Sequence, residues 1–117
     1  MRGSTAWQHA GEVYEELTRL YLQHGPFVLV HGGGGTGVDA AAHHWARVAG
    51  RDLGCLEVRH PANFAEHGKR ARPVRDKELV KAGADLALIF SLPGDEEAQQ
   101  VVDLAKEEGI PVQEITT

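Results

Sequence analysis

The feature that most constrains this chain is a run of glycines placed directly after a short apolar stretch. Phe27-Val28-Leu29-Val30 carries no polar alternation, the pattern of a parallel-sheet strand covered on both faces. His31-Gly32-Gly33-Gly34-Gly35-Thr36-Gly37-Val38-Asp39 follows at once, with five glycines in the six positions 32–37. That exceeds what a tight turn needs, and every glycine costs backbone entropy on folding. A glycine loop between a buried strand and a helix lets backbone N–H groups approach an anion closely, with the helix N-terminus adding a partial positive charge. Gly32 to Gly37, with Asp39 in the first helical turn, is therefore a candidate phosphate-binding loop.

The rest of the chain supplies the frame for such a loop. Ala10, Val13, Tyr14, Leu17, Leu20 and Tyr21 recur at helical spacing over about residues 8–24, stopped by Gly25-Pro26. Val38, Ala41, Ala42, Trp45 and Ala49 mark a second helix closed by Gly50, and Cys55 to Arg59 a second strand. Residues 60–72 read as a polar loop. Pro73 suits the first turn of a short helix ending near Gly83. Leu86 to Phe90 forms another buried strand. Asp95 caps a helix with the core face Ala98, Val101, Val102 and Ala105, and Pro111 to Ile115 is an edge strand. Helices alternating with strands predict a Rossmann-like α/β fold: an open, mostly parallel sheet with helices on both faces, in one domain over residues 1–117.

Composition narrows the function classes. A net charge of −5 argues against a general nucleic-acid binder. Six of the 12 Lys and Arg residues, however, fall between Lys69 and Lys81, a local basic patch suited to a small anionic ligand. No apolar run approaches membrane-spanning length, no leader follows Met1, and a single cysteine excludes an internal disulfide. The expectation is a cytoplasmic protein.

The glycine run matches G-x-G-x-x-G at Gly32, Gly34 and Gly37, with Glu57 20 residues further on where a ribose-binding acid would sit. The match is nearly automatic in a glycine run, and Glu57 falls mid-strand. The Walker ending is missing. His43 and His44 are adjacent and point apart on a helix, and no Cys/His spacing resembles a zinc site, so no metal is assigned. His31 and His60 both follow strands and could line one cleft. Cys55 and Trp45 read as core, and Trp7 and Phe64 as candidates for stacking on a base. No catalytic residue is assigned and no cofactor is expected.

Val30-His31-Gly32-Gly33, then Gly37-Val38-Asp39 and Ala46, resembles the segment "VHGGARGADxLAxxWA". His60-Pro61-Ala62-Asn63 through Lys69, continued by Arg72-Pro73-Val74-Arg75-Asp76, resembles "PADWxxxGKxAGPxRN". Ala84-Asp85-Leu86 and Gly109-Ile110-Pro111-Val112 resemble "ADLVLAF" and "AGIPV". In this order the segments are similar to the YspA-like branch of the SLOG superfamily, Rossmann-like domains related to the Lonely Guy phosphoribohydrolases and the DNA-processing protein of transformation. The resemblance implies a binder, sensor or processor of a small nucleotide-like ligand. It adds Gly3-Ser4 and Arg75 to the candidate site beside His31, Gly32, Gly33, Gly34, Gly35, Thr36, Gly37 and Asp39.

Three departures stand out. Only Met1 and Arg2 precede Gly3, so the family's first strand is nearly absent, and pairing into a homo-oligomer is one way to complete such a sheet. Asp76 replaces the asparagine after the arginine. Leu92-Pro93-Gly94-Asp95-Glu96-Glu97 lacks the Gly-Thr and spaced glutamate of the phosphoribohydrolases, which leaves N-glycosidic cleavage as the alternative to ligand binding, and an interaction module without ligand as a third reading.

Overall fold

A computed structural model describes residues 1–3 and 7–116. Five strands and five α-helices follow in the order β1 (Arg2–Gly3), α1 (Ala10–His24), β2 (Val28–His31), α2 (Gly37–Trp45), β3 (Leu56–Arg59), α3 (Phe64–His67), α4 (Ala71–Lys81), β4 (Ala87–Ser91), α5 (Glu96–Glu107) and β5 (Val112–Thr116). All strand pairs are parallel. One sheet has the order β1-β4-β5, and β2 pairs with β3 beside it. The Met1 nitrogen donates to the Val30 carbonyl at 2.6 Å and joins the two, giving the spatial order β3-β2-β1-β4-β5 of a Rossmann-like open sheet.

Helices α1 and α2 lie on one face, and α4 and α5 on the other. Val13 and Leu17 of α1 are fully buried one helical turn apart, against Val38, Ala41, Ala42 and Trp45 of α2 and Leu29, Leu88 and Phe90 of the strands. Each buried Val, Leu and Phe of this set contributes about 1.5–3 kcal/mol. Trp45 stacks on Phe27 and its indole N–H donates to Thr18 Oγ1 at 3.1 Å. A Cβ on Gly50 would lie 2.6 Å from that indole, so glycine is required where the π turn Ala46–Gly50 ends the helix. On the other face Ala98, Val101, Val102 and Ala105 of α5 pack with Val80 and Ile89. Alternate residues of β4 thus feed opposite layers, as its unbroken apolar run requires. Among the described residues no helix is long and apolar enough to cross a membrane.

The first strand is reduced to Arg2–Gly3, in line with its near-absence from the sequence, and it pairs with β4. The structure corrects three expectations. Residues 60–72 are not all loop: Asn63 Oδ1 accepts from Glu66 N and starts α3. Trp7 is not a stacking residue, because it is buried edge-on against Phe90 at 5.3 Å. Finally, β2 is not covered on both faces. Val28 is 56% exposed, and Leu56 and Val58 beside it are exposed too, since α4 and α5 pack on each other and over β4, leaving this face of the β2–β3 pair open.

Candidate functional site

The site forms at the carboxyl ends of β1, β2 and β3, the edge where open α/β sheets bind ligands. Its foundation is a buried network of four charges. Arg2 Nη1 donates to both Asp39 oxygens at 2.8 Å, and Arg2 Nε to Asp76 Oδ1 at 2.9 Å. Arg75 Nε donates to the same Asp76 oxygen at 2.6 Å. All four side chains are buried, and two guanidiniums balance two carboxylates. Burial alone would lower the Arg2 pKa, but Asp39 and Asp76 overturn it and raise it, so Arg2 stays charged.

This network shapes the glycine loop. Asp39 Oδ1 accepts from Gly32 N at 3.2 Å and Oδ2 from Gly34 N at 3.1 Å, while Arg75 Nη1 donates to Gly32 O at 2.9 Å. A Cβ on Gly32 would lie within 2.6 Å of Arg2, Arg75 and Asp39 atoms alike. Gly33 has φ +70° and Gly37 φ +66°, the left-handed region that glycine tolerates. Gly35 and Thr36 are exposed at the apex, and a Cβ on Gly35 would meet nothing within 4 Å. The Thr36 side chain makes no capping bond to α2, so among the described residues no side chain closes the first N–H groups of that helix. Across the sheet, the start of α5 is closed: Asp95 Oδ1 takes the Ala98 N–H at 3.1 Å.

Beneath the loop, β2, β3 and α2 bring together His31, Glu57 and His43. His31 Nε2 lies 2.6 Å and His43 Nδ1 2.7 Å from the same Glu57 oxygen, Oε2. Gly33 N donates to His31 Nδ1 at 3.0 Å, which leaves the His31 proton on Nε2, facing Glu57. Burial alone would raise the Glu57 pKa, but the hydrogen bonds from the two imidazoles hold its carboxyl below the ordinary range. The three ligating atoms lie within 4.8 Å of one another, a donor set that suits zinc or iron. For an ion to take His31 Nε2, however, the proton must move to Nδ1, where it would face the Gly33 N–H. As built, this is a hydrogen-bonded acid–base cluster.

Gly3, Gly32, Gly33, Gly34, Gly35, Thr36, Gly37, Asp39, His31 and Arg75 therefore converge on one edge. Gly3 is enclosed, since a Cβ there would lie 2.8 Å from Phe90 O; Ser4 lies outside the described residues. The Nε and Nη1 groups of Arg75 are engaged inside the protein rather than presented at the loop's surface. His43 and Glu57 were not read together from sequence. The signal was available: Glu57 pairs with Leu29, two residues before His31 on the same face of β2, and α2 follows directly above.

The sequence profile of the YspA, cpYpsA-related SLOG family matches residues 1–67. The "Gene 61 protein" of Mycobacterium phage D29 is 34% identical over 112 residues, covering 94% of this chain and 89% of the relative. The chain belongs to the YspA, cpYpsA-related SLOG family. No solved structure matches this SLOG protein. Its Rossmann-like sheet is the fold of that superfamily, and membership fits a nucleotide-related function in the broad sense.

Proposed function

We propose that this SLOG protein binds a nucleotide or nucleotide-derived ligand, with the phosphate seated on the Gly35-Thr36-Gly37 apex and the open start of α2. One observation carries the reading: the buried charges pin the flanks of the loop, while among the described residues no side chain claims the N–H groups at its tip and at the helix start. Preorganised N–H groups at a helix N-terminus are an anion site. Asp39 and Arg75 act here by positioning the loop, not by touching the ligand.

The test is thermal denaturation with a panel of nucleoside mono- and diphosphates. A ligand at 100 times its Kd adds about 2.7 kcal/mol. Gly35→Asp, which has space for its side chain, is expected to fold normally and lose the response. No stabilisation by any nucleotide, or an undiminished response in Gly35→Asp, would contradict the reading.

A further inference from the structure

The cluster of His31, Glu57 and His43 has no part in the proposed nucleotide site, yet three elements meet to build it. His31 closes β2, Glu57 stands on the neighbouring β3, and His43 comes from α2. Both imidazole nitrogens aim at one carboxylate oxygen, at 2.6 and 2.7 Å. The three donor atoms therefore surround a single point.

Burial is graded across the cluster. The His31 side chain is fully buried, that of Glu57 is 20% exposed and that of His43 32%. The cluster thus has a fixed inner wall and an outer side that solvent reaches. Two imidazoles and a carboxylate are the three-ligand set of an open zinc site, in which water takes the remaining position. Closed structural sites use four protein ligands instead. The half-open burial matches the first kind.

We propose that His31 Nε2, His43 Nδ1 and Glu57 Oε2 together bind a divalent transition-metal ion, and that the ion undoes the hydrogen bond tying Gly33 to His31. Ligand atoms at about 2.0–2.2 Å from a zinc ion stand at least about 3 Å from one another. The cluster must therefore open slightly, and the part-exposed Glu57 and His43 have room to give way around the buried His31. Each ring moves its hydrogen from the nitrogen facing Glu57 to its other nitrogen, so no proton is gained or lost. At His43 the hydrogen passes to Nε2. At His31 it passes to Nδ1, the atom that accepts from Gly33 N at 3.0 Å. A protonated Nδ1 cannot accept, so the Gly33 N–H is released. Gly33 is half-buried and a Cβ there would meet nothing closer than 3.5 Å, which leaves water space to take over that N–H. Gly32 and Gly34 keep their bonds to Asp39. One rung of the glycine loop thus responds to the ion while its neighbours stay in place.

This inference does not rest on the nucleotide reading, and its test uses no nucleotide. The full chain is titrated with zinc chloride and followed by calorimetry and by the nitrogen resonances of the histidine rings and loop amides. One ion per chain is expected to bind, with the His31 proton on Nδ1. Hydrogen exchange at Gly33 is expected to speed up by about tenfold or more, with Gly32 and Gly34 unchanged. His43→Gln and Glu57→Gln are each expected to weaken zinc binding by about 100-fold. His67→Gln, at the separate His67–Glu66 contact, is expected to leave it unchanged. Absence of zinc binding by the wild-type chain overturns the proposal, as does undiminished affinity in both cluster variants. Bound zinc with Gly33 N–H still on His31 Nδ1 overturns it too, on the wild-type chain alone.

Discussion

The helices α2 and α5 both start at the carboxyl edge of the sheet, yet they treat their exposed N–H groups in opposite ways. Helix α5 closes its own end with the Asp95 carboxylate, and Glu96 and Glu97 add negative charge in the first turn. Helix α2 also has an acid in its first turn, but Asp39 is turned away onto Arg2 and the flanks of the glycine loop. A first-turn carboxylate closes a helix end to anions only if it stays there. At α2 a buried guanidinium removes it, and the helix end is left open. The contrast lies in the partner of the acid, not in its presence.

The largest effect that would break this contrast is Asp39→Ala. It leaves two buried guanidiniums to share the one carboxylate of Asp76 and removes the acceptor for two loop N–H groups, and is expected to cost about 3–5 kcal/mol in urea denaturation. Gly32→Ala leaves the charges in place but forces a methyl among them, for an expected loss of about 1–3 kcal/mol by the same measurement. Asp95→Ala opens the start of α5 and is expected to cost about 1 kcal/mol; calorimetric titration with AMP should show unchanged affinity, because the α5 end is not the proposed site.

Glu57→Gln sharpens the account beneath the loop. Its expected cost at neutral pH is on the order of 1 kcal/mol, from the lost charge assistance of two hydrogen bonds. Because the folded-state pKa of Glu57 is depressed, its stabilisation is complete above the unfolded carboxyl range and lost as pH falls through the folded value. Denaturation curves of wild type and variant should therefore converge on acidification; a constant gap would contradict the assignment. The smallest effect is Gly35→Ala, expected within about 0.5 kcal/mol of wild type. The comparison with Gly32→Ala separates a glycine needed by its neighbours from one that leaves its surroundings open.

Much of the frame was legible in the sequence because it rests on local periodicity. The faces of α1, α2 and α5, the Asp95 cap and the edge position of β5 all follow from spacing and turn residues. The glycine loop was legible as well, but its division of labour was not. Nothing local says that Arg75 is 43 residues from the carbonyl it holds, or that Arg2 reaches Asp39 and Asp76. In the sequence Asp76 is only a departure from the family's asparagine, whereas in the fold it accepts from both Arg2 and Arg75. The exposure of Val28 was hidden for a similar reason: an unbroken apolar run shows that a strand can be covered on both faces, not that the crossing helices reach over it.

The most direct test of the central claim follows backbone amide resonances during titration with AMP. Gly35, Thr36 and Gly37 are expected to shift, while Gly32 and Gly34 stay in place on Asp39. Movement of Gly32 and Gly34 instead, or no movement anywhere in the loop, would contradict an anion site at the open start of α2.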